Sequence, residues 1–134
     1  MSFFDFWTES IAIDLGTANT LIIHNDKVVV DSPSIVAIDQ KSNKIIAVGK
    51  EASLMHGKTH ESIKTVRPLK DGVIADFNAS EQMIGQLIKS IPNLNKRFYS
   101  PSLKMVICIP SGITEVEMRA VKESAERVNG KEVY

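Results

Sequence analysis

Asp14, Gly16, Thr17, Ala18 and Asn19 stand almost side by side between two apolar, β-rich runs, Ile11 to Ile13 and Thr20 to Ile23. A tight turn of small residues presents successive N–H groups as an anion-binding concavity, and a glycine lets a ligand approach the main chain. Thr17 and Asn19 add side-chain donors beside those N–H groups. Asp14, at the end of the first run, would repel a phosphate that it touched directly. A divalent cation between the two removes the conflict. The chemistry open to this stretch is that of a phosphate loop with a metal-organising aspartate. An ordinary hairpin, whose Asp and Asn satisfy turn geometry, is the alternative. Neither a Walker A loop nor a Rossmann fingerprint fits, because the lysine and the Gly-x-Gly-x-x-Gly spacing are both missing.

The elements that hold the turn follow from the flanking patterns. Strand, turn and strand span Ile11 to Ile23. Asn25-Asp26 starts a second turn and Lys27 to Val30 a third strand, which makes an antiparallel meander. Ser32-Pro33 breaks that pattern, and the chain to Pro68 reads as a compact insert. Its strands are expected near Ile35 to Ile38, Lys44 to Val48 and Ile63 to Val66, with a short helix over Gly49 to Leu54. Asp71-Gly72 marks the exit from the insert. Asn78 and Glu81 have capping-box spacing ahead of a helix carrying Met83, Ile84, Leu87, Ile88 and Ile91, which Pro92 ends. Lys104 to Ile109 is a near-continuous apolar run, as in a strand buried on both faces. Thr114 and Glu117 form a second capping box, before a helix with Met118, Val121, Ala125 and Val128 on one stripe. Asn129-Gly130 stops it, and Glu132 to Tyr134 begins another strand. Strand, helix, strand in this order implies a right-handed crossover and parallel pairing beside the meander. A mixed sheet with helices against it results, with the polar turn at its edge. The strand at Lys104 to Ile109 is expected to leave an edge open to pairing between chains.

Composition narrows the function classes. Sixteen basic and sixteen acidic residues balance, so no net field recruits nucleic acid or anionic lipid. The single cysteine, Cys108, lies in an apolar run and reads as a buried thiol in a reducing compartment. No run reaches the roughly eighteen apolar residues of a membrane span, and the basic start plus apolar core expected of a secretory signal is not read in these residues. His24, His56 and His60 lack metal-ligand company and read as surface histidines. Phe3, Phe4, Phe6 and Trp7 crowd the start of the chain. Such rings either fold back onto a core or meet an apolar surface outside it, such as a membrane.

Three stretches carry a family resemblance. Ile13-Asp14-Leu15-Gly16-Thr17-Ala18-Asn19-Thr20-Leu21 is similar to the first phosphate loop of the actin and sugar-kinase superfamily in its bacterial form. Arg67-Pro68-Leu69-Lys70-Asp71-Gly72-Val73-Ile74-Ala75-Asp76-Phe77 and Pro110-Ser111-Gly112-Ile113-Thr114-Glu115-Val116-Glu117-Met118-Arg119-Ala120 resemble the MreB family of rod-shape-determining bacterial actins. The DnaK-type chaperones and plasmid-segregating actins share the first stretch but not the other two together.

The resemblance implies an α/β chain of actin-like, ribonuclease H-like fold: a mixed β-sheet with flanking helices plus a small α+β inserted subdomain. Residues 1–32 and 70–134 would form the core subdomain and 33–69 the outer one. It implies ATP at Gly16, Thr17, Ala18 and Asn19, with Mg2+ organised by Asp14 through water, and no catalytic residue within this stretch. Implied partners are other copies of the protein in a protofilament, the inner face of the cytoplasmic membrane, and cell-wall elongation proteins such as MreC, MreD and RodZ, with no nucleic acid. Phe3, Phe4, Phe6, Trp7, Phe98 and Tyr99 would be the membrane contacts of a cytoplasmic, peripheral protein. Because the family continues for a further lobe and a half, the chain is expected to be an N-terminal fragment that binds nucleotide weakly and does not hydrolyse it. A plain α/β interaction module with a vestigial phosphate loop, or another actin/DnaK-type ATPase, is the alternative.

Overall fold

Period-two alternation in β1 (Thr8–Leu15) buries Ile11, Ile13 and Leu15 and leaves Asp14 in solvent. The computed structural model describes residues 8–58, 61–92, 102–127 and 130–134. β1 pairs antiparallel with β2 (Asn19–His24), with Ile13 opposite Ile22. Asn25 and Asp26, at φ 51° and 59°, form the mirror-image turn that matches strand twist, and β3 (Lys27–Pro33) returns along β2. A second sheet starts with β4 (Val36–Asp39), which lies between β5 (Lys44–Val48) and β6 (Ile63–Val66). The helix α1 (Lys50–Met55) sets Ala52 in a small cluster with Ile35, Ala37 and Ala47. Gly49 precedes it at φ 62°, where a Cβ would stand 1.9 Å from Ser32 Oγ, so only glycine fits. Two-residue strands β7 (Leu69–Lys70) and β8 (Val73–Ile74) make a hairpin around Asp71 and Gly72.

The remaining elements are α2 (Phe77–Lys89), β9 (Ser102–Cys108), α3 (Glu115–Arg127) and β10 (Gly130–Val133). β9 pairs parallel with both β1 and β10, which completes a mixed sheet in the order β10-β9-β1-β2-β3. Met83, Ile84, Leu87 and Ile88 of α2 and Val121 and Ala125 of α3 bury one face of it against Ile11, Ile13, Ile22, Leu103 and Met105. Each large side chain so buried contributes about 1.5–3 kcal/mol.

Several sequence expectations change here. The strand at Lys104 to Ile109 is buried on one face: Leu103 and Met105 point inward, while Val106 is 49% exposed and Cys108 lies exposed. An apolar run does not reveal which of its faces is covered, and the same open face carries Ile23 and Val28. β9 is not an open edge either, because β10 pairs along it and Tyr134 both donates to the Met105 carbonyl and accepts from the Ile107 N–H, each at 2.9 Å. The third strand runs on through Ser32 to Pro33, since a proline at the end of an edge strand forfeits no ladder bond. Asp76, not Asn78, caps α2: its carboxylate accepts from Ala79 N–H, and Glu81 pairs instead with Arg127 of α3 at 2.6 Å. The second capping box stands. Thr114 Oγ1 accepts from Glu117 N–H at 3.2 Å, and Glu117 Oε2 accepts from Thr114 N–H at 2.8 Å. Met118 is half exposed rather than part of the buried stripe. His60, Val128 and Asn129 lie outside the described residues, as do Phe3, Phe4, Phe6, Trp7, Phe98 and Tyr99.

Candidate functional site

The turn from Gly16 to Ala18 sits at the carboxyl end of β1, in the middle of the five-stranded sheet and not at its lateral edge. β9 ends beside it, with Cys108 in register with Asp14, because the two strands run parallel. Whatever follows β9 is therefore delivered to the same end of the sheet as the turn.

Gly16 is needed for closeness, not for an unusual φ. A Cβ there would lie 2.4 Å from the Asn19 carbonyl oxygen, so the turn is tighter than any side chain allows. The turn is also clasped from beneath. Ser34, fully buried, donates its hydroxyl to the Gly16 carbonyl at 2.7 Å and its backbone N–H to the Ala18 carbonyl at 2.8 Å. Buried Thr20 completes the group, with Oγ1 at 2.9 Å from Ser34 Oγ. Among the described residues no backbone carbonyl accepts from the N–H of Thr17 or of Ala18, and both residues are exposed. Amide donors left without a carbonyl partner, beside a hydroxyl, are the chemistry that suits an anion.

The second motif comes to this turn, and the third comes to the second. Gly72 N–H reaches Thr17 Oγ1 at 3.4 Å, and a Cβ on Gly112 would stand 3.0 Å from Val73 Cγ1. Residues from three separate stretches of chain thus meet at one end of the sheet. The family model described as MreB/Mbl protein matches residues 8–134. The chain belongs to the MreB/Mbl family. The cell shape-determining protein MreB of Haemophilus influenzae is 48% identical over 133 residues, covering 96% of this chain and 37% of the relative. Mbl of Bacillus subtilis is 47% identical over 129 residues, covering 96% and 38%. Among solved structures, MreB5 of Spiroplasma citri bound to AMPPNP superposes with a TM-score of 0.75 at 39% identity, covering 94% of this chain and 37% of that one. The same protein bound to ADP gives 0.77 at 36%, with the same coverage. The MamK double helical filament, at 19% identity, a TM-score of 0.72, and coverage of 94% and 39%, shares the fold alone. The fold is accordingly actin-like. This MreB/Mbl chain spans well under half the length of the curated relatives it matches.

Against the MreB/Mbl expectation, Asn19 is the residue whose side chain behaves differently. Its amide donates to Asp31 Oδ1 at 2.9 Å, across to β3, so what Asn19 offers the turn is its backbone. Asp14 stays exposed at the mouth. Among the described residues no cluster of three or more His, Cys, Asp or Glu could hold a metal. His24 contacts Glu9 Oε2 at 2.5 Å and His56 contacts Thr65 Oγ1 at 2.6 Å, both away from the turn. Ser34 and Thr20 are the residues that sequence reasoning missed. The cue, two hydroxyls fourteen positions apart, has no meaning until β2 and β3 pair.

Proposed function

We propose that this chain is the N-terminal part of an ATP-binding, filament-forming bacterial actin that determines cell shape by organising wall synthesis at the membrane. The observation that carries the reading is the approach of Gly72 to Thr17, which sets the second family motif against the phosphate turn. The MreB5 relative bound to AMPPNP and to ADP supports a nucleotide ligand. Gly16, Thr17, Ala18 and Asn19 hold its phosphates. Asp14, through water, would hold a magnesium ion beside them. Magnesium would supply charge neutralisation between the carboxylate and the phosphates, and the chain's own part is to orient the donors of the turn.

Residues 1–32 and 70–134 form the core subdomain and 33–69 the outer one, a division supported by the separate three-stranded sheet. Self-assembly into protofilaments is the primary interaction, with MreC, MreD and RodZ as partners by family membership. The protein is cytoplasmic and peripheral on the inner membrane face, through Phe3, Phe4, Phe6, Trp7, Phe98 and Tyr99. No helix among the described residues is long and apolar enough to cross a membrane. Sedimentation of the whole protein with magnesium and ATP tests the reading. Pelleting that requires nucleotide and is lost in Asp14→Ala is expected, whereas nucleotide-independent behaviour would favour an interaction module with a vestigial loop.

A further inference from the structure

We infer that Ser34 is a positioning residue for the phosphate turn: it fixes the direction in which the turn's amide donors point. The inference deepens the nucleotide reading above and rests on it for the ligand. It starts from the direction of three hydrogen bonds. Ser34 has one hydroxyl proton, and that proton goes to the Gly16 carbonyl, 2.7 Å away. The contact at 2.9 Å between Thr20 Oγ1 and Ser34 Oγ must then have Thr20 as donor. The order is Thr20 to Ser34 to the Gly16 carbonyl. The Ser34 N–H separately holds the Ala18 carbonyl at 2.8 Å.

In a planar trans peptide the C=O of one residue and the N–H of the next point in opposite directions. Drawing the Gly16 carbonyl to the buried Ser34 hydroxyl therefore sends the Thr17 N–H the other way, toward solvent. The Ala18 carbonyl, drawn to the Ser34 backbone, does the same for the Asn19 N–H. Ser34 touches no ligand itself. Its effect is to keep the donor direction set before an anion arrives, so that none of the binding energy goes into turning peptides. With Ser34 fully buried, water cannot replace the hydroxyl. In Ser34→Ala the Gly16 carbonyl can regain a partner only by rotating its peptide, which swings the Thr17 N–H out of line.

Two variants of the 134-residue chain separate positioning from plain stability. Ser34→Ala removes the donor to Gly16, whereas Thr20→Val removes a buried hydroxyl of the same network and leaves that donor in place. Pyrophosphate with magnesium is the probe, followed by isothermal titration and by the 13C resonance of the Gly16 carbonyl, with urea melts beside them. Ser34→Ala is expected to weaken pyrophosphate about tenfold, the loss of one well-made hydrogen bond, and to shift the Gly16 carbonyl resonance. Thr20→Val is expected to lower the melt midpoint while leaving affinity within about twofold and the resonance in place. Equal affinity and an unmoved resonance in a folded Ser34→Ala chain would overturn the inference. So would an equal loss of affinity in Thr20→Val. If Ser34→Ala fails to fold, Ser34→Cys, with its weaker donor, is judged by the same two readouts. If the unaltered chain binds no pyrophosphate at all, what fails is the expectation that this side of the site holds phosphate by itself, and the Gly16 carbonyl resonance alone decides the role of Ser34.

Discussion

Asp76 accepts the backbone N–H of Ala79 at 2.9 Å, and the Ser80 hydroxyl returns to the Asp76 carbonyl at 2.8 Å. This fixes the start of α2, and with it the buried row Met83, Ile84, Leu87 and Ile88 under the sheet. Asp76→Ala should lower stability by about 1 kcal/mol. Asn78→Ala, at the exposed position of the first turn, should be neutral or slightly stabilising because alanine is the better helix former. Urea melts of the two variants check the assignment, and the reverse order would return the cap to Asn78.

Gly16→Ala tests the tightness of the turn. The added methyl would lie 2.4 Å from the Asn19 carbonyl oxygen, a backbone atom fixed in β2, so the turn has to open. A stability loss of about 1–3 kcal/mol is expected, as for other overpacked sites. Pyrophosphate binding should fall below detection in the same titration. An alanine variant that binds as well as the parent chain would show that the turn has slack.

Asp39 offers a pH test remote from the turn. The Ser42 hydroxyl, and after it the Lys41 N–H, hold its carboxyl below the ordinary value of 3.8. A folded-state pKa that is depressed stabilises the fold above the unfolded value, and that contribution is lost as pH falls through the folded one. Ser42→Ala removes the largest cause and should move the Asp39 titration up toward 3.8. Any stability difference between the two chains should be present at neutral pH and vanish in acid. Carboxyl-carbon NMR titration follows it directly.

The 134 residues alone should bind ATP no better than millimolar, about −4 kcal/mol, with no phosphate release above background. Phosphoryl transfer needs phosphate contacts, metal and a positioned water to converge on one nucleotide. The turn and Asp14 offer only one side of that arrangement, where solvated contacts are worth little. Calorimetry beside a phosphate-release assay decides it. Micromolar binding, or turnover abolished by Asp14→Ala, would mean that the site is complete.

Membrane attachment should depend on the aromatic residues at the start of the chain. Phe3→Ser, Phe4→Ser and Trp7→Ser together should abolish sedimentation of the whole protein with liposomes. Each ring buried in lipid is worth at most about 1.5–3 kcal/mol, so filaments with many linked copies should bind far better than monomers. Undiminished sedimentation would place the attachment elsewhere.

Local patterns determined a good deal. Short apolar, β-rich runs marked β1 and β2, Asn25-Asp26 marked a turn, and Thr114 with Glu117 announced the start of α3, because each of these depends on neighbours within a few positions. The run of small residues after Asp14 likewise marked the turn. What needed the tertiary structure was every relationship between distant residues. Which face of β9 is covered depends on where α2 and α3 lie, so Val106 and Cys108 could not be told from core. Asp76 and Asn78 each offered a side-chain cap near one helix start, and Asp76 took it while Glu81 paired with Arg127. The turn itself was legible, but its support was not. Ser34 reaches Gly16 across eighteen positions and Gly72 reaches Thr17 across fifty-five, and only strand pairing brings such residues within hydrogen-bond distance.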